Sequence, residues 1–309
     1  MRTTDREPGG STARRPAGWT ARDIPDQSGR TVIVTGASSG VGEAAARELA
    51  GAGARVILAV RSLARGRKAV ATMPGATELR RLELSDLASV RMFAAGIDGD
   101  VDVLINNAGI MAVPYGRTVD GFEMQLGTNH LGHFVLTGLM LRRIRDRVVT
   151  VSSLAHRRGR IRFDDLSFER GYHGMVAYEQ SKLANLLFAY ELRRRLQAAG
   201  SPVRSLAVHP GLSRTNLFGA AERTLGIRIM AFFQRFVAQS AERGALPLLY
   251  AATVDLPGGT YVGPGGFAEL WGQPRIVQSS PASMDRRMAE ALWSLSESLT
   301  GVRYDFTVT

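Results

Sequence analysis

Tyr178 and Lys182 stand four residues apart in Ala177-Tyr178-Glu179-Gln180-Ser181-Lys182. Of the 39 basic residues in the chain, Lys68 and Lys182 alone are lysine; the others are arginine. A chain so biased places arginine wherever a generic positive charge suffices, so a lysine at this spacing points to a task guanidinium cannot do. On a helix, positions i and i+4 share a face, which sets an ammonium beside a phenol and favours phenolate. Arginine has a larger fork and a pKa too high for a proton relay. Alone, the spacing also describes an ordinary pair on a helix surface, so the other segments decide.

Thr31 to Thr35 (TVIVT) is a β-branched run of the kind that forms a buried parallel strand. It runs into Gly36-Ala37-Ser38-Ser39-Gly40-Val41-Gly42, after which Glu43 to Leu49 reads as helix. Strand, glycine-rich turn and helix together suit a dinucleotide: glycines admit the pyrophosphate to the backbone, and the helix start offers free N–H groups. The spacing is G-x-x-x-G-x-G, and a purely structural tight turn would look the same.

The next strand, Arg55 to Val60, ends about 20 residues later, where an NAD enzyme places an acid on the ribose and an NADP enzyme an arginine on the 2′-phosphate. Here Val60 is followed by Arg61, Arg65 and Arg67, with no carboxylate between Arg55 and Arg67. This favours NADP(H) over NAD(H). The bland alternative is that Arg61 is one more surface arginine.

With these residues in view, the chain resembles the short-chain dehydrogenase/reductase family. The matching motifs are Thr35 to Gly42, Asp86, Asn106-Asn107-Ala108-Gly109, Asn129, Ser153, Tyr178-x-x-x-Lys182 and Pro210-Gly211, in the family's order. Asn107 to Met111, Thr128 to Phe134, Ser152 to His156 and Ser181 to Asn185 are similar to its retinol-dehydrogenase-like branch. The resemblance implies a Rossmann-type single domain with about seven strands and helices on both faces. It implies Asn129, Ser153, Tyr178 and Lys182 as the catalytic set. The coenzyme would meet Gly36, Ser38, Ser39, Gly40, Val41, Gly42, Arg61, Asp86, Leu87, Asn107, Ala108, Gly109, Tyr178, Lys182, Pro210, Gly211 and Thr215.

Each position has a physical task under this resemblance. Small residues within Asn106 to Gly109, after strand Val101 to Ile105, would let the adenosine ribose lie on the backbone. Asp86, at the end of a strand expected over Leu79 to Leu84, would take the adenine amino group; it reads equally as the N-cap of a helix over Leu87 to Ala95. Asn129, in a helix expected over 120–141, would bend that helix and hold a water linked to Lys182, or be a satisfied core amide. Ser153, after strand Arg147 to Val151, would hold the substrate oxygen; Ser152 and Ser153 are otherwise strand-end serines. Pro210-Gly211, after strand Val203 to Val208, would close over the nicotinamide amide. Tyr178 would exchange the proton, its pKa of about 10 drawn down by Lys182 and the nicotinamide charge.

His130, His133 and His156 read as structural or pocket-lining, and no H-E-x-x-H or cysteine supports a metal site. The 309 residues, 45% of them hydrophobic, suit one α/β domain (30–309) with a doubly wound parallel sheet behind a flexible arm (1–29), which Trp19 and Ile24 would anchor. Helices over Ala238 to Ala251 and Met284 to Thr300, and a last strand within Gly259 to Pro264, complete it. No apolar run of about 18 residues predicts a membrane helix, and no signal peptide is evident. Zero cysteines suit the cytoplasm.

The net charge of +11, with arginines dense from 142 to 170, suits solvated faces and phosphate-friendly potential; it brings no nucleic-acid recognition motif and allows at most peripheral membrane contact. Residues 215–237, rich in phenylalanine, read as a substrate lid for a small hydrophobic carbonyl or alcohol, or as a membrane- or dimer-facing patch. The resemblance implies a homo-oligomer paired through the helices bearing Asn129 and Tyr178. A non-catalytic NADP(H)-binding regulator is the competing function, and an intact Asn129, Ser153, Tyr178 and Lys182 argues against it. Reduction of a C=C bond, as in similar pigment reductases, needs a cysteine donor that the chain lacks.

Overall fold

Valine and isoleucine dominate the strands because both faces of the sheet are covered. The computed structural model describes residues 18–212 and 240–306. Along the chain run β1 (Thr31–Thr35), α1 (Gly40–Gly51), β2 (Arg55–Val60), α2 (Leu63–Val70), β3 (Thr77–Arg81), α3 (Leu87–Ala95) and β4 (Val101–Asn106). The second half adds α4 (Met124–Leu126), a π turn (Gly127–Leu131), α5 (Gly132–Met140), β5 (Ile144–Val151), α6 (Gly174–Ala198) and β6 (Arg204–Val208). It closes with α7 (Ala241–Thr253), β7 (Tyr261–Pro264), β8 (Pro274–Ile276) and α8 (Arg286–Thr300).

The strands form one eight-stranded sheet in the order β3-β2-β1-β4-β5-β6-β7-β8. All pair in parallel except β8, which runs antiparallel to β7. Strands are added outward on one side of β1 up to β3 and then on its other side from β4, whose parallel register aligns Val32 with Val103 and Val34 with Ile105. Ligands of open α/β sheets bind at such a switch point, outside the carboxyl ends of the two strands. Val34, Leu49, Val56 and Leu248 fill one face; Ile33, Leu104, Phe134 and Phe188 fill the other.

Several boundaries differ from expectation. The third strand ends at Arg81 and not at Leu84, because the backbone then leaves the ladder: Ser89 Oγ takes the Glu83 N–H and the Glu83 carboxylate folds onto Ser85. The helix expected over 120–141 starts at Met124, where Glu123 caps it by accepting from Gln125 and Leu126. The eighth strand is a three-residue edge, too short for a periodicity to register. Trp19 packs edge-on against Tyr250 at 5.3 Å, and Ile24 lies against the core, so the end of the N-terminal arm is anchored. Thr215 and the lid expected over 215–237 lie outside the described residues. No helix among the described residues is long and apolar enough to cross a membrane.

Candidate active site

Thr35, the last residue of β1, knits the first turn to the fourth strand. Its hydroxyl accepts from the N–H groups of Asn107 (2.9 Å) and Ala108 (3.0 Å), while its carbonyl accepts from Asn107 Nδ2 at 2.7 Å. The glycines are required by this closeness. A Cβ on Gly36 (φ +70) would lie 2.9 Å from Ala108 Cα, and one on Gly42 would lie 2.3 Å from Asn107 Nδ2. Ser39, at the N-cap of α1, makes no side-chain capping bond. The N–H groups that a helix start cannot satisfy by itself are a place where an anion is held. A coenzyme pyrophosphate fits this turn.

At the adenosine end, Arg61 follows β2 with its side chain 63% exposed, and its Nε lies 3.9 Å from Glu83 Oε2. An acid therefore does stand beside Arg61, delivered by the neighbouring strand and not by the segment after β2. The pairing of Val60 with Arg81 puts the two strand ends side by side, so the sheet order was the signal that would have found it. Asp86 is the N-cap of α3, accepting from Ala88 (3.0 Å) and Ser89 (3.3 Å), and the Leu87 N–H is taken by Asp120. Of its two sequence readings, the capping one has direct geometric support.

The π turn carries Asn129, which is wholly buried. Its Nδ2 donates to the Ile110 carbonyl and to Ser181 Oγ, and its Oδ1 accepts from the Ile110 N–H, all at 2.9 Å. The amide thereby pins the loop after β4 to α6. A Cβ on Gly109 would come within 3.3 Å of Asn129 Oδ1 and 3.4 Å of Lys182 Nζ, so Gly109, Asn129 and Lys182 meet at one point.

His133 anchors the same turn from behind. Its Nδ1 lies 3.0 Å from the Asn129 carbonyl and its Nε2 2.9 Å from Thr35 Oγ1. Burial pulls its pKa down to about 4, so the ring is neutral. A carbonyl can only accept; the proton is therefore on Nδ1, and Thr35 donates to Nε2.

Tyr178 and Lys182 share one face of α6, 5% and 4% exposed. The ammonium lies 5.7 Å from the Tyr178 ring centroid and donates to the Val151 carbonyl at 3.2 Å. Ser153 begins the short turn Leu154–Arg158, its Oγ accepting from the Ala155 N–H at 3.2 Å. Burial pushes the phenol up to about 12 against a hydrogen bond with Ser153, and pulls Lys182 down to about 8. Burial thus favours the protonated phenol, and the downward pull expected of Lys182 and the nicotinamide charge together would act against it. Desolvation of the phenolate outweighs the polar neighbours.

Beyond β6, Gly211 has φ +66, and a Cβ there would meet the Leu270 carbonyl at 2.5 Å. Its N–H donates to His209 Nδ1 at 3.3 Å, and His209 Nε2 lies 3.0 Å from Glu269. Neither His209 nor Glu269 was singled out from sequence, because 60 residues separate them and only the fold joins them.

The model of the short chain dehydrogenase family matches residues 30–226. Human retinol dehydrogenase 12 is 40% identical over 305 residues, covering 94% of this chain and 92% of that protein. A crystal structure of an uncharacterized protein from Mycobacterium paratuberculosis superimposes with a TM-score of 0.82 at 52% identity, covering 94% of this chain and all of that one. A short chain dehydrogenase from Burkholderia cenocepacia, in complex with NADP, shares the fold at a TM-score of 0.60 and 24% identity, over 76% of this chain and 96% of its own. Serine, tyrosine and lysine converging near a glycine-rich strand-to-helix turn agree with these likenesses: the chain belongs to the short-chain dehydrogenase family of nicotinamide-dependent oxidoreductases, in its retinol dehydrogenase-like branch.

Proposed function

We propose that this protein is an NADP(H)-dependent oxidoreductase that interconverts a hydrophobic alcohol and its aldehyde or ketone. The observation that carries the reading is the convergence of Ser153, Tyr178 and Lys182, all buried or half-buried, at the carboxyl end of β5 and one face of α6. When bound, the nicotinamide supplies or accepts the hydride. Ser153 holds the substrate oxygen by its hydroxyl and stabilises charge developing there. The protonated Tyr178 gives its proton to that oxygen in reduction and takes it back in oxidation. Lys182 keeps a positive charge beside the phenolate so formed. Asn129 fixes the Ile110 loop against Ser181 and so holds the space these groups share.

Arg61, exposed and at the end of β2, supports NADP(H) as the coenzyme. An apolar substrate is supported by the retinol dehydrogenase relatives and by the phenylalanine-rich stretch 215–237. A side-by-side titration with NADPH and NADH, read by tryptophan fluorescence, tests the coenzyme. NADPH should bind at least tenfold more tightly, and turnover of long-chain or aromatic aldehydes should follow. Equal affinities would remove the role given to Arg61; binding of neither would end the enzymatic reading.

A further inference from the structure

Ala268 and Glu269, in the turn after β7, have φ of 48° and 59°. Consecutive non-glycine residues in the left-handed region persist only where their surroundings over-determine them. The surroundings here are specific. Glu269 Oε2 lies 3.0 Å from His209 Nε2, and its Oε1 accepts from the Arg157 guanidinium at 2.8 Å. His209 is fully buried, and its Nδ1 accepts the Gly211 N–H. Its proton therefore sits on Nε2 and is donated to the carboxylate. The adjoining Leu270 carbonyl takes the Leu212 N–H at 2.8 Å, so the strained turn seats directly against Pro210–Gly211. Arg157 comes from the short turn that Ser153 begins. One carboxylate thus ties the serine arm after β5 to the turn after β6, with Tyr261 packed against both His156 and His209.

We propose that Glu269 is a positioning residue for the nicotinamide side of the coenzyme site, setting the Gly211 backbone through His209 and its distance from Ser153 through Arg157. This rests on the reading above, in which Pro210–Gly211 closes over the nicotinamide. A ligand sharing only the adenosine end separates this role from general stability, and adenosine 2′,5′-bisphosphate is such a ligand. Glu269→Gly removes the carboxylate and at the same time relieves φ of 59°, so the variant is expected to fold. Glu269→Gln keeps an oxygen that can accept from His209.

Calorimetry on the full chain should show Glu269→Gly binding NADPH at least tenfold more weakly and the bisphosphate within twofold of wild type, with Glu269→Gln close to wild type for both. Unchanged NADPH affinity in Glu269→Gly would overturn the proposal, as would a parallel loss of both ligands. A wild-type chain binding neither ligand would instead overturn the coenzyme reading on which it rests.

Discussion

His156 Nδ1 lies 2.6 Å from the carbonyl oxygen of Ser153, and His156 Nε2 accepts the Ser280 N–H at 3.0 Å. Only the neutral ring with its proton on Nδ1 satisfies both. The serine that should hold substrate is thereby fastened, through a wholly buried imidazole, to the segment after β8. His156→Asn keeps a donor where Nδ1 stands, whereas His156→Phe keeps none. The phenylalanine variant should lose at least tenfold in kcat with coenzyme affinity unchanged, and the asparagine variant should recover most of that loss. Steady-state kinetics on one aldehyde would decide; equal defects in both variants would reduce His156 to a filler of space.

Acid stability follows from the same buried rings. Burial lowers the pKa of His130 to about 3 and those of His133 and His156 to about 4, from 6.5. Between these values and 6.5 the unfolded chain binds more protons, so stability is full above pH 6.5 and is lost as pH falls towards 4. Arg157, His209 and Glu269 surround His156, Lys182 faces His133, and His133 faces His130. Urea midpoints measured at pH 7, 6 and 5 should fall steadily, and His156→Phe should flatten the slope. A midpoint independent of pH across this range would contradict the neutral-ring assignments.

Lys182 should trade stability for chemistry. Its ammonium is buried, with one hydrogen bond among the described residues, to Val151, and its pKa falls from 10.5 to about 8. Below pH 8 both folded and unfolded chains carry the proton, and the burial penalty is fully present. From 8 to 10.5 the unfolded chain holds more protons, so the wild type gains stability as pH rises. Lys182→Met should therefore melt no lower than wild type at pH 7, with its advantage shrinking towards pH 10.5, while turnover falls roughly 10²- to 10⁴-fold. A scanning-calorimetry loss at pH 7 would show that the ammonium is a structural strut.

The parts of the site legible in the sequence are those written in contiguous stretches. Gly36 to Gly42 and Tyr178 with Lys182 need only the local geometry of a turn and a helix. Glu83 beside Arg61, and Glu269 beside His209, depend on which strands and turns become neighbours, and no local pattern carries that. Asn129 was readable as a polar residue needing a partner, but its partners, Ile110 and Ser181, come from two other segments. Tyr178 shows a different limit: spacing placed it beside a lysine, while its protonation depends on how deeply the fold buries it.

Asp86 and Glu83 can be separated by substitution. Asp86→Ala removes the α3 N-cap and should cost about 0.5–2 kcal/mol, with NADPH affinity changing less than threefold. Glu83→Gln removes the charge 3.9 Å from Arg61, so it should tighten NADPH several-fold and leave NADH unchanged. Denaturant melts and coenzyme titrations on both variants distinguish the roles. A tenfold loss of coenzyme affinity in Asp86→Ala, with stability unchanged, would return the adenosine role to that residue.

Association of the chain turns on what covers α5 and α6, the helical faces through which the family resemblance implies pairing. Phe134 is 0% and Phe188 4% exposed. Trp293 stacks on Phe188 at 5.8 Å and meets Phe134 at 5.1 Å, while Tyr304 lies 4.9 Å from Phe134 and donates to its carbonyl at 2.6 Å. Arg195 sits 4.5 Å over the Trp293 ring from the α6 side. The chain's own C-terminal helix and tail thus occupy these faces, and a partner would have to displace them. Light scattering should find the full chain as a monomer near 33.4 kDa. Trp293→Ala should cost about 3–5 kcal/mol, and a chain ending at Asp285 should self-associate through the uncovered aromatics. Because the chain has no cysteine, single cysteines placed on α5 and α6 give a clean cross-linking test: disulfide-linked dimers of the full chain through these helices would refute the monomer.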